Sequence, residues 1–211
     1  MVKPSSEERR AELVELYHRL RDDHDCPLKA GRRKLVFGAG NADADLMFVG
    51  EAPGAREDEL GLPFVGPAGQ LLEQLLGEIG LERKDVFINN VLMCRPPGNR
   101  DPMPEEVEEC KPFLMKRIEL IEPKVICTLG NYSTKLLTGS PRGITRVHGD
   151  PQHREVGGRS VILYPLFHPA AALRSTSVLD LLRADIHRLP PLIAEHVSEP
   201  AADEEQLGLF G

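Results

Sequence analysis

The sequence predicts a three-layer α/β/α sandwich with a central four-stranded, mainly parallel sheet. Two observations carry this prediction: four short apolar segments alternate with amphipathic helical segments, and 211 residues suffice for one sizeable core. No apolar segment approaches the roughly 20 residues of a membrane span. The chain also begins with charged residues and lacks the apolar region of a signal peptide. We therefore expect a cytoplasmic protein with no membrane partner. We also expect it to be a monomer.

The apolar segments and their spacing predict the individual elements in order. The predicted strands are residues 46–50, 86–92, 125–129 and 160–167. Helices are predicted at residues 5–21, 68–79 and 104–121, from residue 133 to 137, and in the region 179–194. Residues 96–104 contain four prolines and are predicted to form a loop. The expected organisation is an N-terminal helix (1–22), one main domain (23–195) and a flexible acidic tail (196–211).

The charge distribution argues against a protein that is basic throughout, since the net charge is −7. Both ends are acidic, and residues 26–194 are neutral with 21 charges of each sign. Residues 140–174 carry five arginines and two acids. Two explanations stay open: a local basic face that contacts phosphates, or a solvated surface.

Four polar or glycine-rich segments lie at or near the ends of predicted strands. They are GEAPG (50–54), PFVGPAG (63–69), NVLMCRPPGNR (90–100) and HPAAALR (168–174). Ligands of open α/β sheets bind beyond the carboxyl ends of the strands. We therefore expect these segments to converge on one pocket, where glycines permit close backbone approach and a carboxamide offers both a donor and an acceptor.

Together, the four segments resemble the uracil-DNA glycosylases, most closely the iron–sulfur-containing family 4. The resemblance covers roughly residues 23–194. It implies a monofunctional DNA glycosylase that flips uracil out of DNA and hydrolyses its N-glycosidic bond, which initiates base excision repair. Lyase activity is not expected, because the matching pocket segments contain no lysine to form a Schiff base.

The resemblance assigns roles to particular pocket residues. Asn90 would pair with N3–H and O4 of uracil, His168 would donate to O2, and Glu51 would help to position water. Classical enzymes have a water-orienting aspartate where this chain has Ala52, and family 4 lacks that acid too. The expected catalytic residues are Glu51, Asn90 and His168. The expected substrate-binding residues are Gly50, Glu51, Ala52, Glu57, Phe64, Asn90 and His168.

Each assignment has a structural alternative. Phe64, on which uracil would stack, could equally be a core side chain. Asn89 is the alternative to Asn90, but the spacing to Cys94 matches the family at Asn90. The loop after His168 resembles the one that enters the duplex, with Leu173 as a wedge. The expected DNA contacts are Arg95, Arg100, Leu173 and Arg174.

Three cysteines match cluster ligands of family 4, which implies a structural [4Fe–4S] cluster. They are Cys26, Cys94 and Cys110, whereas Cys127 lies inside a predicted strand and matches no ligand. The first cysteine of the family's C-x-x-C pair is replaced by Asp23, which we favour as an oxygen ligand. The alternatives are His24 or Asp25 as the ligand, a three-coordinated or absent cluster, and ordinary buried cysteines.

The end of the chain resembles the peptide by which bacterial repair proteins bind the sliding clamp. Its apolar residues follow an acidic segment and have no evident folding role. The alternative is that the tail folds back onto its own domain. The expected clamp-binding residues, which also suggest a bacterial source, are Gln206, Leu207, Leu209 and Phe210.

Three rival functions stay open. The first is a non-catalytic protein that binds or traps uracil-DNA. A related branch traps it covalently through a histidine in an inserted loop, but residues 93–100 contain no histidine. The second is a glycosylase for other deaminated bases, as in family 5, against which Asn90 argues. The third is a non-enzymatic iron–sulfur protein, which leaves Phe64, Asn90 and His168 unexplained.

Overall fold

A six-stranded sheet organises the protein in a computed structural model that describes residues 4–194. The strands are β1 (Ala39–Gly40), β2 (Leu46–Gly50), β3 (Phe87–Asn90), β4 (Val125–Leu129), β5 (Gln152–Val156) and β6 (Arg159–Leu166), in the spatial order β1-β3-β2-β4-β6-β5. The four central strands are parallel, which confirms the predicted sheet. The two edge strands, β1 and β5, pair antiparallel and were not predicted.

Helices cover both faces of this sheet. Those in the described residues are α1 (Ser6–Asp23), α2 (Ala55–Leu60), α3 (Pro67–Glu78), α4 (Pro104–Ile121), α5 (Asn131–Thr138), α6 (Ile144–Val147), α7 (Pro169–Ala172), α8 (Thr176–Ile186) and α9 (Leu189–Ala194). Alternate residues of β2 face separate cores: Met47 packs with residues of α1 and α4, and Phe48 packs with residues of α3 and α8. The three-layer α/β/α prediction is therefore confirmed.

The first helix begins at Ser6, one residue later than predicted, because Ser5 is its N-cap and forms a capping box. The Glu8 amide donates to Ser5 Oγ at 3.3 Å, and the Ser5 amide donates to Glu8 Oε2 at 2.7 Å. Its leucines at helical spacing are buried in the same core as α4. The helix ends at Asp23, two residues later than predicted.

The last helical region differs from the prediction, because it consists of two helices rather than one. Helix α8 begins earlier, where Ser175 Oγ accepts from the Val178 amide at 3.5 Å. It ends at Ile186, and α9 starts three residues later with Pro190 and Pro191 in its first turn. Prolines lack the amide hydrogen that a continuous helix would need at these positions. Within residues 4–194, no helix is long and apolar enough to cross a membrane.

Candidate active site

The predicted segments converge on a cavity of about 360 Å³ at the carboxyl ends of the parallel strands. Strand β2 ends at Gly50 and β3 at Asn90, and these two residues are paired in register. His168 follows the end of β6. The lining residues are Glu51, Ala52, Pro53, Gly54, Glu57, Phe64, Ala68, Asn90, Pro96, Asn99, Arg100, His168 and Ala170.

The Asn90 side chain is buried in the wall of this cavity, with only 2% of its surface exposed. Its Oδ1 has no hydrogen-bond partner within residues 4–194. A buried polar atom without a partner costs about 1–3 kcal/mol, so this oxygen is suited to a ligand donor. Gly50 makes room for it, since a Cβ there would overlap Asn90 Oδ1 and lie 2.8 Å from the Phe64 ring.

The Phe64 ring forms one wall of the cavity. It stacks on the His168 ring with centroids 5.7 Å apart and planes inclined by 28°. Phe64 has a φ of 51°, a left-handed conformation that is uncommon for residues other than glycine. Its carbonyl accepts from Arg83 Nη1 at 3.0 Å, and Gly69 permits close contact, because a Cβ there would overlap that carbonyl. The surrounding loop thus fixes an aromatic surface at the site.

Glu57 anchors the loop that carries Phe64. Its Oε1 accepts from the Val65 amide at 3.0 Å and from the Gly66 amide at 2.9 Å. Both amides lie just before α3, where intrahelical partners are lacking. Glu57 therefore shapes the cavity by holding this loop as well as by lining it.

The His168 ring is held as a neutral tautomer with an identifiable donor. Its Nδ1 accepts from the Ala170 amide at 3.1 Å, so the ring proton lies on Nε2. Burial lowers the pKa of His168 to about 4, which keeps the ring uncharged near neutral pH. Gly130 approaches from β4, with a φ of 89°, and a Cβ there would lie 3.2 Å from His168 Cβ. The wall of the cavity therefore contains a neutral N–H donor.

Glu51 is a half-buried carboxylate that borders two cavities. One is the cavity above, and the other, of about 390 Å³, also contains His168 and Tyr132. Burial, and secondarily the charge of Asp101, raises the pKa of Glu51. The neighbouring Ala52 side chain contributes only apolar surface to the first cavity. At this part of the first cavity, the carboxylate therefore belongs to Glu51, the residue before Ala52.

The predicted DNA contacts differ in their surroundings. Leu173 is 52% exposed directly after α7, and Arg174 is exposed beside it. Arg95 Nε donates to Asn99 Oδ1 at 2.7 Å. Arg100 is paired with the buried Glu106 carboxylate, with its Nη1 3.0 Å from Oε2. This pairing braces the proline-rich loop and occupies part of the Arg100 guanidinium.

Cys26, Cys94 and Cys110 are free and buried. The Sγ atoms of Cys26 and Cys94 lie 3.4 Å apart. The His24 ring adjoins the Cys110 and Cys26 thiols. Across residues 4–194, no three His, Cys, Asp or Glu side chains are spaced to hold a single metal ion. Three thiols are nevertheless a donor set that suits a [4Fe–4S] cluster, which takes ligands at separate iron atoms.

Asp23, the predicted fourth ligand, lies at the exposed end of α1. The next residue, His24, is 4% exposed and adjoins the thiols. Asp25 is exposed as well and faces Lys29. Cys127 is buried within β4, as predicted. The predicted clamp-binding peptide, 206–210, lies outside the described residues.

Sequence reasoning missed two groups near the site. The first is the pair Arg33 and Arg56, which share a cleft with the predicted DNA contact Arg95. These residues lie too far apart in the chain to suggest a common surface. The second is the Ala170 amide, which selects the His168 tautomer. The HPA pattern with a proline at the first helical position could have indicated this cap.

The sequence also matches the model of a known protein family. The model for the uracil DNA glycosylase superfamily matches residues 37–186, which is well over half of the chain. The chain therefore belongs to the uracil DNA glycosylase superfamily, and the predicted resemblance is confirmed.

Within this superfamily, the chain is similar to enzymes of two types. The chain is 46% identical to a type-4 uracil-DNA glycosylase of Thermotoga maritima over 170 residues, which cover 80% of this chain and 87% of that protein. It is 44% identical to a type-4 enzyme of Sulfurisphaera tokodaii over 172 residues, covering 79% and 78% respectively. A type-5 uracil-DNA glycosylase of Pyrobaculum aerophilum is 29% identical over 148 residues, covering 62% and 63%.

Proposed function

We propose that this chain is a monofunctional uracil-DNA glycosylase that hydrolyses the N-glycosidic bond of deoxyuridine in DNA. It would release uracil and leave an abasic site, which initiates base excision repair. The observation that carries the proposal is the buried Asn90 carboxamide, whose Oδ1 lacks a partner within the described residues while the side chain lines the cavity. The type-4 relatives support the same substrate.

Asn90 discriminates uracil by its hydrogen-bonding pattern. Its Oδ1 accepts from uracil N3–H, and its Nδ2 donates to O4. Cytosine presents an acceptor and a donor in the reverse order, so the wrong base would leave buried groups unpaired. That mismatch costs about 1–3 kcal/mol. Phe64 meanwhile offers its ring as a stacking surface for the extruded base.

His168 and Glu51 act on the two sides of the breaking bond. As the base leaves, negative charge builds on uracil O2, to which the neutral His168 Nε2–H donates. The Glu51 carboxylate, once ionised, accepts a hydrogen bond from the attacking water and stabilises positive charge on the sugar. Because the pKa of Glu51 is raised, excision should slow as the pH falls through that pKa.

DNA is held by side chains around the mouth of the cavity. Leu173 would wedge into the space left by the base, and Arg174 would contact phosphate. Arg33, Arg56 and Arg95 line a cleft together with Glu59, which lies 3.9 Å from Arg33, and the remaining positive charge suits the neighbouring phosphates. A few such contacts suffice for an otherwise acidic protein, and they predict weaker binding at higher salt.

A [4Fe–4S] cluster is proposed as a structural cofactor that joins the segments of Cys26, Cys94 and Cys110. Arg32 Nη1 lies 3.6 Å from Cys94 Sγ, where it would offset thiolate charge. The cluster would secure the loop between Cys94 and Cys110, which carries Arg95 and Arg100.

We further propose a bacterial, cytoplasmic repair enzyme whose C-terminal peptide binds the sliding clamp. The supporting feature is the sequence Gln206-Leu207-Gly208-Leu209-Phe210 after an acidic segment. The full chain should bind a purified bacterial clamp, and a Phe210→Ala variant should bind it much more weakly. Equal binding by both proteins would contradict this role.

The substrate assignment is tested by replacing Asn90 with aspartate. Asn90→Asp keeps the side-chain size but removes the donor to O4 and adds negative charge. We expect the rate of uracil excision to fall about 10-fold or more. A 10-fold loss corresponds to about 1.4 kcal/mol, which is near the upper end of the net contribution of one hydrogen bond. Oligonucleotides that carry uracil, hypoxanthine, thymine or cytosine should be compared for both proteins, with thermal unfolding as the folding control. Wild-type protein that excises hypoxanthine but not uracil would instead support the type-5-like alternative.

A further inference from the structure

The residue between the predicted ligand Asp23 and Asp25 has unusual surroundings. His24 caps the end of α1, where its amide donates to the Leu20 carbonyl at 3.3 Å. The backbone there is extended, with φ −65° and ψ 112°, so the chain leaves the helix at this residue. Asp23 and Asp25 are exposed, whereas only 4% of the His24 surface is exposed. The turn thus directs a single side chain of this acidic segment into the protein.

The two nitrogens of the His24 ring differ in their environment. Nε2 is buried and has no hydrogen-bond partner within residues 4–194. Nδ1 lies 3.8 Å from Glu109 Oε1 on α4. Phe113 packs edge-on against the ring, with centroids 5.1 Å apart and planes at 84°. This packing fixes the ring, and the buried Nε2 has no partner among the described residues.

We propose that His24 Nε2, rather than a carboxylate oxygen of Asp23, is the fourth protein ligand of the [4Fe–4S] cluster. The ring adjoins the thiols of Cys110 and Cys26, and the Cys94 thiol lies beside Cys26. Histidine ligands usually present their other ring nitrogen to a carboxylate or carbonyl, and Glu109 stands on that side of the ring. The inference rests on the proposed cluster.

This ligand set has a chemical consequence. A neutral imidazole in place of a thiolate makes the ligand set one charge less negative, which favours the reduced cluster. Histidine ligands raise the reduction potential in Rieske centres in the same direction. The cluster should therefore be reduced more easily than one held by four thiolates.

The test compares full-length protein with three variants after anaerobic iron–sulfur reconstitution. Iron and sulfide content, visible absorbance and pulsed electron paramagnetic resonance of the reduced cluster are the readouts. Wild-type protein should hold about four iron atoms and show nitrogen coupling that changes on ¹⁵N-histidine labelling. Asp23→Ala should behave like wild type. His24→Ala should lose the coupling and retain less iron, and His24→Cys should restore retention at a lower reduction potential.

Three results would overturn the inference, and they are distinguishable. Iron-loaded protein without histidine nitrogen coupling, or iron loss in Asp23→Ala but not in His24→Ala, would reject His24 as the ligand and leave the cluster standing. Wild-type protein that excises uracil but binds no iron after reconstitution would reject the cluster and the His24 ligand together, while uracil excision would stand.

Discussion

Replacing His168 with alanine should slow uracil release by about 10²–10³-fold. The ring is positioned before the substrate arrives, since the Ala170 amide fixes Nδ1 as an acceptor at 3.1 Å and leaves the proton on Nε2. A donor that is already oriented toward developing charge contributes about 3–4 kcal/mol to transition-state stabilisation. Uracil also stacks on Phe64 in this account, so substrate affinity should fall less than the rate.

The pH dependence of stability tests the same side chain in a second way. Folded His168 has a pKa of about 4, and the unfolded side chain titrates near its usual value of about 6.5. Between these values the unfolded state binds more protons, so stability declines as the pH falls from about 6.5 to about 4. The decline attributable to His168 is about 3 kcal/mol. It should be absent in His168→Ala, whose unfolding should be compared with wild type at pH 7.5 and 4.5.

Single-turnover release from a uracil-containing oligonucleotide is the direct assay. His187→Ala is the matched control, because His187 caps the C-terminal end of α8, pairs with Glu78 at 3.0 Å and is not among the residues that line the cavity. The control should keep a rate close to wild type. A His168→Ala rate within threefold of wild type, with the fold intact, would refute the assigned role.

Three further substitutions probe how the cavity is built. Gly50→Ala should abolish excision, because its Cβ would overlap Asn90 Oδ1 and meet the Phe64 ring; Gly77→Ala, which meets nothing within 4 Å, should keep full activity. Phe64→Leu should lower kcat/KM by about 5–150-fold, which corresponds to the 1–3 kcal/mol of base stacking; an unchanged value would refute stacking. Glu57→Ala should lower the free energy of unfolding by about 1–3 kcal/mol, since the amides it holds lose their acceptor. Denaturant unfolding measures this change, and an unaltered free energy would contradict the anchoring role.

The central strands could be predicted from sequence because they are buried on both faces. All five residues of β2 and of β4 are buried, so each strand is a continuous apolar segment. The edge strand β5 is mostly exposed and polar, and it resembles a loop in sequence. Strand β1 has two residues and no apolar pattern. These two edge strands are defined by their pairing with the adjacent strands β3 and β6, and not by their local composition.

Individual pocket residues could also be predicted, whereas the contacts that position them could not. Segment order predicts that Asn90 and His168 share a pocket, and in the structure both line the same cavity. The anchoring of the Phe64 loop by Glu57 depends on contacts across a turn. The burial of His24 depends on where α1 ends, because its two neighbours in the chain, Asp23 and Asp25, are exposed.

The most direct test of uracil excision is to quantify the products released from a uracil-containing oligonucleotide. We expect free uracil and abasic sites in equal amounts, with strand cleavage only after alkali treatment. Correctly folded protein that releases no uracil from this substrate would contradict the proposed glycosylase activity. Strand cleavage before alkali treatment would contradict monofunctional hydrolysis.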